Sequence, residues 1–383
     1  MPAVPESGEG FLEPAYGERS LGDVVPAVAR ALGVAWDEPR PGALALPEAR
    51  AYVVFLVDGL GSRLLERYAH AAPYLSSLRS AAPGTTCAVP STTATSLTSL
   101  GTGLVPGAHG VVGFTSRVPG TDRLLNALQW DKRVDPLEWQ PHPTSFDRLS
   151  AAGASVTVVN KREFRGSGLT VAAHRGGEYV GADRVGERIA AALAATADRA
   201  ERPALAYLYD GDLDWTGHRH GVASIPWLQQ LAMIDAEAEQ LRESLPSDVR
   251  LVVVADHGMV DCPPESRVDV DAVTGLRDGV LLLGGEARFR QLYCAGGAVD
   301  DVIVAWREVL GDRAEVLARD DAVARGWFGT PDPRVLPRLG DVLVACRDDV
   351  AVLSTVDWPY EATLVGLHGS LTPAEMLIPV LVD

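Results

Sequence analysis

Six carboxylate and imidazole side chains stand where they could bind metal ions: Asp58, Asp214, His218, Asp256, His257 and His368. Asp214 and His218 are four residues apart and can converge on one cation if their segment forms a turn. Taken alone, the same pair could equally be a helix cap and a surface histidine. Three imidazoles and three carboxylates together suit two divalent cations, and zinc is the metal that this donor set favours.

The position of these residues after apolar runs strengthens the hypothesis of a metal site. Asp58 follows AYVVFLV, and Asp256 and His257 follow RLVVVA. A charge buried at such a point is costly unless it is paired or coordinated. Five other histidines lack this context, and we expect them on the surface or in the core: His70, His109, His142, His174 and His220.

A second chemical feature is the hydroxyl-rich stretch PSTTATSLTSLGTG, which runs from Pro90 to Gly103. Serine and threonine often gather in caps and loops, where they bind nearby backbone groups. An alcohol becomes a good nucleophile only when a base or a metal ion activates it. The stretch by itself therefore does not distinguish a polar helix start from a catalytic hydroxyl.

Alternating strands and helices are expected to position these groups. Short apolar runs predict buried strands at Ala51–Val57, Ala154–Asn160, Ala204–Tyr209 and Arg250–Ala255. Helical patterns lie at Ser62–Ala69, Thr93–Leu100, Ala182–Ala197 and Ser224–Leu245. This order predicts an α/β fold with a largely parallel central sheet flanked by helices. In such sheets the functional groups collect beyond the carboxyl ends of the strands.

Two stretches fit this alternation less well. Residues 114–174 are rich in Trp, Pro and basic residues, and residues 262–363 contain strand-like pieces such as Gly279–Leu283 and Asp341–Cys346. We interpret both stretches as cap-like insertions in a single domain, 1–383, that cover the site and select the substrate.

Composition excludes several classes of partner. The formal net charge is −17, which argues against binding of a nucleic-acid polymer because that requires a basic surface. No apolar run approaches the roughly 20 residues that span a membrane, and the first residues lack the pattern of a signal peptide. Four cysteines lie far apart without a CxxC pair. We therefore expect a cytoplasmic protein with reduced thiols.

Five motifs, in order, resemble those of the alkaline phosphatase superfamily: VVFLVDGLG, PSTTATSLTSLGTGLVPGAHGVVG, DxxGHRHG, VVVADHGM and GLHGSL. The branch that they resemble most is that of the nucleotide pyrophosphatases/phosphodiesterases. The resemblance implies one metal ion held by Asp58, Asp256 and His257, which also binds the nucleophile. It implies a second ion held by Asp214, His218 and His368. Two such ions about 4 Å apart can clamp both the attacking and the leaving oxygen.

The resemblance also implies where the nucleophile lies, at the start of the helix after the first ligand strand. The candidates there are Ser91, Thr92 and Thr93. Alignment on TGLVPGAHGVV places the nucleophile at Thr93, with Thr92 as second choice because an indel of one residue would move it. The other hydroxyls are expected to serve the helix backbone and packing: Thr95, Ser96, Thr98, Ser99 and Thr102.

The chain departs from the family pattern at one position. The related phosphodiesterases place a phosphate-binding Asn shortly after His-Gly-Ile-Val, where this chain has Phe114. Asn126, Asn160 or Lys161 could substitute for it. The resemblance implies hydrolysis of a phosphodiester or pyrophosphate bond in a small phosphorylated molecule, such as a nucleotide, through a phosphothreonine intermediate.

Other functions compete with this one. A phosphomonoesterase or phosphonate hydrolase of the same superfamily is the runner-up, and a catalytically silent binding protein is a further alternative. A sulfatase is disfavoured because CAVPS at Cys87 lacks the Cys-x-Pro-x-Arg sequence of those enzymes. Five aromatic residues could stack a nucleobase: Trp130, Trp139, Phe164, Tyr179 and Trp215. The sequence leaves nucleotide, nucleotide-sugar and lipid-headgroup diesters as candidate substrates, and it leaves the oligomeric state open.

Overall fold

The computed structural model describes residues 10–383. Its strands are β1 Ala51–Val57, β2 Arg79–Ser80, β3 Thr115–Arg117, β4 Leu124–Asn126, β5 Ser155–Asn160, β6 Glu178–Gly181, β7 Ala204–Asp210, β8 Val249–Val254, β9 Val260–Asp261, β10 Arg267–Asp269, β11 Val280–Glu286, β12 Phe289–Cys294, β13 Ala314–Ala318, β14 Val342–Cys346, β15 Ala351–Leu353, β16 Gly366–Leu367 and β17 Val380–Val382.

The α-helices of the same range are α1 Val24–Ala31, α2 Ser62–Arg67, α3 Pro73–Ser77, α4 Thr93–Thr102, α5 Pro106–His109, α6 Pro136–Trp139, α7 Ser145–Ala151, α8 Gly168–His174, α9 Val185–Ala195, α10 Asp212–His220, α11 Ile225–Ser244, α12 Val299–Leu310, α13 Arg319–Ala324 and α14 Pro373–Met376. None of the helices in the described range combines the length and the apolar composition that a membrane span requires.

A seven-stranded sheet forms the centre of the fold, in the order β2-β17-β8-β1-β7-β5-β6. The five strands from β8 to β6 run parallel, while β17 is antiparallel to both of its neighbours. Helix α9 packs on β5 and β7, and α7 packs on β5. The predicted α/β fold with a largely parallel sheet is confirmed, and the four predicted strands and four predicted helices end within three residues of the observed bounds.

The central strands owe their position to their composition. All seven residues of β1 are buried, which is typical of a parallel strand covered by helices on both faces. The register pairs Val57 with Asp210 on β7 and Leu56 with Val254 on β8. The carboxyl ends of these three strands are therefore level, and the residues that follow them emerge at one edge of the sheet.

A smaller sheet lies in the C-terminal half of the chain. It has four antiparallel strands in the order β11-β12-β14-β13, and α12 packs on β13. Trp306 of α12 and Val344 of β14 belong to a separate cluster of buried apolar residues around this sheet. Residues 262–363, one of the two stretches interpreted as caps, thus contain a sheet with a core of its own.

The other stretch interpreted as a cap, residues 114–174, differs in part from that expectation. Strand β5 lies inside this range, and it is a member of the central sheet between β7 and β6. Its run of apolar residues is buried on the sheet, so this section is scaffold. The hairpin of β3 and β4 lies outside the central sheet and forms a two-stranded sheet of its own.

Candidate functional site

The first group of candidate ligands lies at the carboxyl ends of β1 and β8, which are neighbours in the central sheet. Asp58 directly follows β1, and Asp256 and His257 come shortly after β8. His257 Nε2 lies 3.3 Å from Asp58 Oδ1 and 3.4 Å from Asp256 Oδ2. All three side chains are buried. We call these three residues cluster A.

The second group consists of Asp214, His218 and His368, which we call cluster B. Asp214 and His218 are one turn apart on the same face of α10, and His218 Nε2 lies 3.3 Å from Asp214 Oδ2. His368 Nε2 lies 3.2 Å from His218 Nε2. Because β16 pairs with β9, His368 comes beside His257, and their rings stack with centroids 3.7 Å apart. The two clusters therefore adjoin.

The hydrogen bonds of the three histidines fit a pair of cations. In each ring Nδ1 donates to a backbone carbonyl: His218 to Gly366 at 2.7 Å, His257 to Gly258 at 3.0 Å and His368 to Ser91 at 2.9 Å. Each Nε2 is then left as an acceptor, and two of these acceptors face each other at 3.2 Å. Asp214 Oδ1 and Asp256 Oδ2 are buried without a hydrogen-bond partner among the described residues. Such converging acceptors are what divalent cations require.

The pKa shifts of the three carboxyl groups also favour a site for cations. Burial raises the pKa of Asp58 well above its ordinary value, and the charges of Asp256 and Asp214 raise it further. Burial also raises the pKa of Asp256. In Asp214 burial acts to raise the pKa, but the neighbouring His218 and His368 outweigh it and lower the pKa below its ordinary value. Three crowded carboxylates are costly in a buried site unless cations offset their charge.

Two cavities open beside the clusters. One has a volume of about 940 Å³ and is lined by Glu286 and Tyr360 among other residues; we call it the Glu286 cavity. The other has a volume of about 720 Å³ and is lined by Lys161 and Phe164 among other residues; we call it the Lys161 cavity. Both reach the same side chains at the centre, which are Thr93, Leu128, Asp214, Trp215 and His218. A molecule with two arms could therefore extend from the clusters in two directions.

Comparison with known proteins assigns this arrangement to a family. A profile of the type I phosphodiesterase / nucleotide pyrophosphatase family matches residues 52–371, a range that contains every residue of both clusters. The chain belongs to this family. The predicted resemblance to the nucleotide pyrophosphatase/phosphodiesterase branch is thus confirmed. A search of curated proteins finds no match.

Solved structures support the fold of the family. Murine ectonucleotide pyrophosphatase/phosphodiesterase 5 superposes with a TM-score of 0.67 and 18% identity, covering 87% of this chain and 87% of that chain. Its inactive form in complex with AMP superposes with a TM-score of 0.68 and 17% identity over the same shares of both chains, 87% and 87%. The human protein of the same name gives 0.67 and 17%, again covering 87% of each chain. At this level of identity the likeness establishes the fold.

Within this family fold, Thr93 is the residue of the hydroxyl-rich stretch Pro90–Gly103 whose hydroxyl lies beside cluster A. It is the first residue of α4. Its Oγ1 lies 3.2 Å from His257 Nε2 and 3.4 and 3.5 Å from the two carboxylate oxygens of Asp58. The helix start also presents backbone N–H groups without intrahelical partners, which favour an incoming anion.

The neighbouring hydroxyls are engaged elsewhere. Ser91 Oγ donates to a backbone carbonyl at 2.6 Å, and Thr92 lines the Glu286 cavity, where its hydroxyl acts to lower the pKa of Glu286. Further along α4, Thr98 and Thr102 donate to carbonyls of the helix itself at 2.7 and 2.6 Å. Geometry therefore favours Thr93 over Thr92, the second candidate from the sequence.

Phe114, which stands where the family pattern has an asparagine, lies in the Glu286 cavity with its ring edge-on to Tyr360. Of the three substitutes considered from the sequence, Asn126 lines the same cavity, and its Oδ1 accepts two backbone N–H groups at 3.0 and 3.1 Å. Asn160 and Lys161 line the Lys161 cavity instead, where Lys161 Nζ is paired with an aspartate of α10 at 2.8 Å.

The five aromatic residues considered for nucleobase stacking divide into two groups. Trp215 lines both cavities and is 59% exposed, and Phe164 lines the Lys161 cavity. Trp130 and Trp139 are buried and pack edge-on against each other. Tyr179 donates its hydroxyl proton to a backbone carbonyl at 2.6 Å. Trp215 and Phe164 are thus the two that face the cavities.

The five histidines without ligand context lie outside both clusters. His109 and His174 are buried, and burial lowers the pKa of each to about 3. His142 is half-buried, and His70 and His220 are exposed. His220 nevertheless lines the Glu286 cavity. His109 and His174 thus lie in the core and His70 and His220 at the surface, whereas His142 lies between the two.

The site contains two further residues that the sequence motifs do not identify. Tyr209, at the end of β7, donates its hydroxyl proton to Asp58 Oδ2 at 2.5 Å. Glu286, the last residue of β11, lies beside His368 with its Oε2 3.8 Å from His368 Nδ1. Tyr209 directly precedes an Asp-Gly-Asp strand end, which is a usable signal. Glu286 belongs to a remote strand, and nothing in its local sequence links it to the clusters.

Proposed function

We propose that the protein is a metal-dependent hydrolase that cleaves phosphodiester or pyrophosphate bonds of a small molecule, such as a nucleotide, with Thr93 as its nucleophile. The observation that carries this proposal is the position of Thr93 Oγ1, 3.2 Å from His257 Nε2 and beside Asp58, at the point where the two clusters meet. Family membership supports the same reaction class over phosphomonoester hydrolysis.

Clusters A and B would hold two divalent cations, and their mixed imidazole and carboxylate donors favour zinc. When bound, such ions neutralise the carboxylates, lower the pKa of a neighbouring hydroxyl and withdraw charge from the phosphoryl oxygens. The carbonyl acceptors on each Nδ1 hold the imidazoles in the tautomer that presents Nε2 to the site.

The residues of the chain would act as follows. The acceptors within reach of the Thr93 hydroxyl proton are His257 Nε2 at 3.2 Å and the two carboxylate oxygens of Asp58 at 3.4 and 3.5 Å. Thr93 Oγ1 attacks phosphorus, the bond from phosphorus to the leaving oxygen breaks, and a phosphothreonine forms. Free N–H groups at the start of α4 stabilise the phosphoryl oxygens. Water then attacks the phosphothreonine, releases the phosphorylated product and restores the hydroxyl.

Two properties of the chain bear on its partners and its location. A net charge of −17 argues against a nucleic-acid polymer as the substrate, whereas a small phosphorylated molecule is compatible with it because bound cations would reverse the local field. We also propose a cytoplasmic location, because all four cysteines are buried and unpaired, as expected in a reducing compartment.

A substrate comparison tests the reaction class. With zinc-loaded protein, we expect faster hydrolysis of bis-p-nitrophenyl phosphate than of p-nitrophenyl phosphate. The opposite ranking would favour the monoesterase.

A pair of variants tests the nucleophile. Thr93→Ala should retain zinc and lose a factor of roughly 100 or more in kcat, because covalent catalysis is removed. Thr95→Ala is the matched control, since Thr95 lies in the same helix and its buried hydroxyl has no partner in the described range. Full activity of Thr93→Ala, or no phosphate on the Thr93 peptide after acid quenching of the wild type, would remove Thr93 from the mechanism.

A further inference from the structure

Glu286 has the features of a ligand-binding carboxylate that the proposed reaction does not use. It is 8% exposed and lies on the wall of the Glu286 cavity. Glu286 Oε1 has no hydrogen-bond partner within residues 10–383. His368 Nδ1 does not supply one, because it lies 3.8 Å from Oε2 and already donates to Ser91. A buried carboxylate left incompletely paired is costly, and a cation or donor on a ligand would offset that cost.

The surroundings of Glu286 are acidic and aromatic. Glu361 lines the same cavity, where it is neutralised by the buried Arg290. Arg219 is the permanent cation among the described lining residues, and it lies over the ring of Trp215, 5.5 Å from its centroid. Three aromatic rings also line this cavity: Phe114, Trp358 and Tyr360. Aromatic faces attract ammonium groups.

We propose that the Glu286 cavity binds a primary ammonium group carried by one ester arm of the substrate, with Glu286 accepting its hydrogen bond. This inference rests on the proposed function, because it places the phosphoryl group of the same molecule at clusters A and B. The substrate class is then a small phosphodiester with an aminoalkyl ester. A quaternary ammonium would satisfy the aromatic walls but has no N–H to donate to Glu286.

Binding measurements on zinc-loaded protein test this inference without any need for turnover. Isothermal titration calorimetry would compare four monoesters: O-phosphoethanolamine, ethyl phosphate, 2-hydroxyethyl phosphate and phosphocholine. We expect O-phosphoethanolamine to bind at least about tenfold more tightly than ethyl phosphate, a difference of roughly 1.4 kcal/mol. The hydroxyl and the quaternary compounds should bind more weakly than O-phosphoethanolamine. Equal affinity of O-phosphoethanolamine and any of the other three would overturn the proposal.

Two variants test whether the preference for an ammonium group depends on the Glu286 side chain. Glu286→Gln should reduce the affinity ratio of O-phosphoethanolamine to ethyl phosphate to about one. Glu163→Gln should leave that ratio unchanged, because Glu163 is an exposed carboxylate that lines the Lys161 cavity. A preference that survives in Glu286→Gln would overturn the proposal. If that variant fails to fold, the four wild-type affinities decide alone.

Hydrolysis of bis-p-nitrophenyl phosphate separates this inference from the proposed function. Hydrolysis without an ammonium preference would overturn the Glu286 assignment and leave the proposed function standing. An ammonium preference without hydrolysis of any diester would overturn the proposed function and support Glu286 as a binding residue.

Discussion

Replacing Tyr209 with phenylalanine should weaken metal binding and slow hydrolysis while leaving the fold intact. The Tyr209 hydroxyl donates to Asp58 Oδ2 at 2.5 Å. Burial, together with the charge of Asp58, raises the pKa of Tyr209 well above its ordinary value, which favours the protonated, donating form of the hydroxyl. Tyr209 is therefore a hydrogen-bond donor that holds one candidate ligand carboxylate of cluster A in place.

The expected loss of zinc affinity and activity in Tyr209→Phe follows from the type of hydrogen bond that this variant removes. A hydrogen bond to a charged group contributes about 1.5–3 kcal/mol, and its partner here is a buried carboxylate. Since about 1.4 kcal/mol corresponds to a factor of ten, the loss should be roughly ten- to hundredfold in zinc affinity or in kcat/KM. Residues that orient metal ligands from behind typically have effects of about this size, 10–100-fold.

The strand that carries Tyr209 also offers a matched control. Tyr207 lies two residues earlier on the same face of β7, and its buried hydroxyl has no partner among the described residues. Tyr207→Phe removes the same atom without removing a hydrogen bond, so zinc affinity and activity should stay near those of the wild type. Competition with a chelator would measure zinc affinity, and hydrolysis of bis-p-nitrophenyl phosphate would measure kcat/KM. Equal behaviour of the two variants would refute the reasoning.

Three further predictions follow from the same structure. His257→Ala should lower zinc stoichiometry in equilibrium dialysis, because it deletes a ligand of cluster A; unchanged zinc content would contradict the assignment. Glu375→Gln should lower the free energy of unfolding in urea by roughly 3–5 kcal/mol, because the buried Arg288 loses its charged partner. In the wild type, Arg288 Nε and Nη2 donate to the two Glu375 carboxylate oxygens at 2.7 and 2.8 Å. A loss below about 1 kcal/mol would argue against this role of the ion pair. Burial lowers the pKa of His174 to about 3, so below about pH 6.5 this imidazole gains a proton in the unfolded chain but not in the folded one. The free energy of unfolding should therefore decrease as the pH falls from about 6.5 toward 3. In urea titrations, His174→Leu should show a shallower decrease over this range.

Much of the scaffold was predictable because its signals are local. Strand β1 is apolar along its whole length and ends directly before Asp58, and β8 ends just before Asp256. A parallel strand buried on both faces needs such a composition, and a charge is tolerated only beyond its end. The helices between the strands followed from periodicity in the same way. The range 114–174 was harder to interpret, because the apolar run of β5 lies between cap-like segments.

The local sequence does not decide which hydroxyl near the start of α4 reaches cluster A. Ser91, Thr92 and Thr93 are adjacent and chemically similar. Their roles separate only because the start of α4 places the Thr93 hydroxyl beside His257 of cluster A, while Thr92 lines the Glu286 cavity. The aromatic candidates separated for the same reason, since Trp139 packs in the interior and Trp215 reaches the cavities.

The sequence by itself determined the α/β scaffold, the identity of the candidate ligands and the family. Apolar patterning and the order of the motifs are properties of the linear sequence, so they can be recognised without the fold. Tertiary structure alone decided that His368 meets His257, that Tyr209 supports Asp58 and that Glu286 faces the cavity beside Thr93. These contacts join residues that are 111 to 193 positions apart in the sequence. Whether two such side chains meet depends on how the sheets pack, and local sequence does not encode that distance.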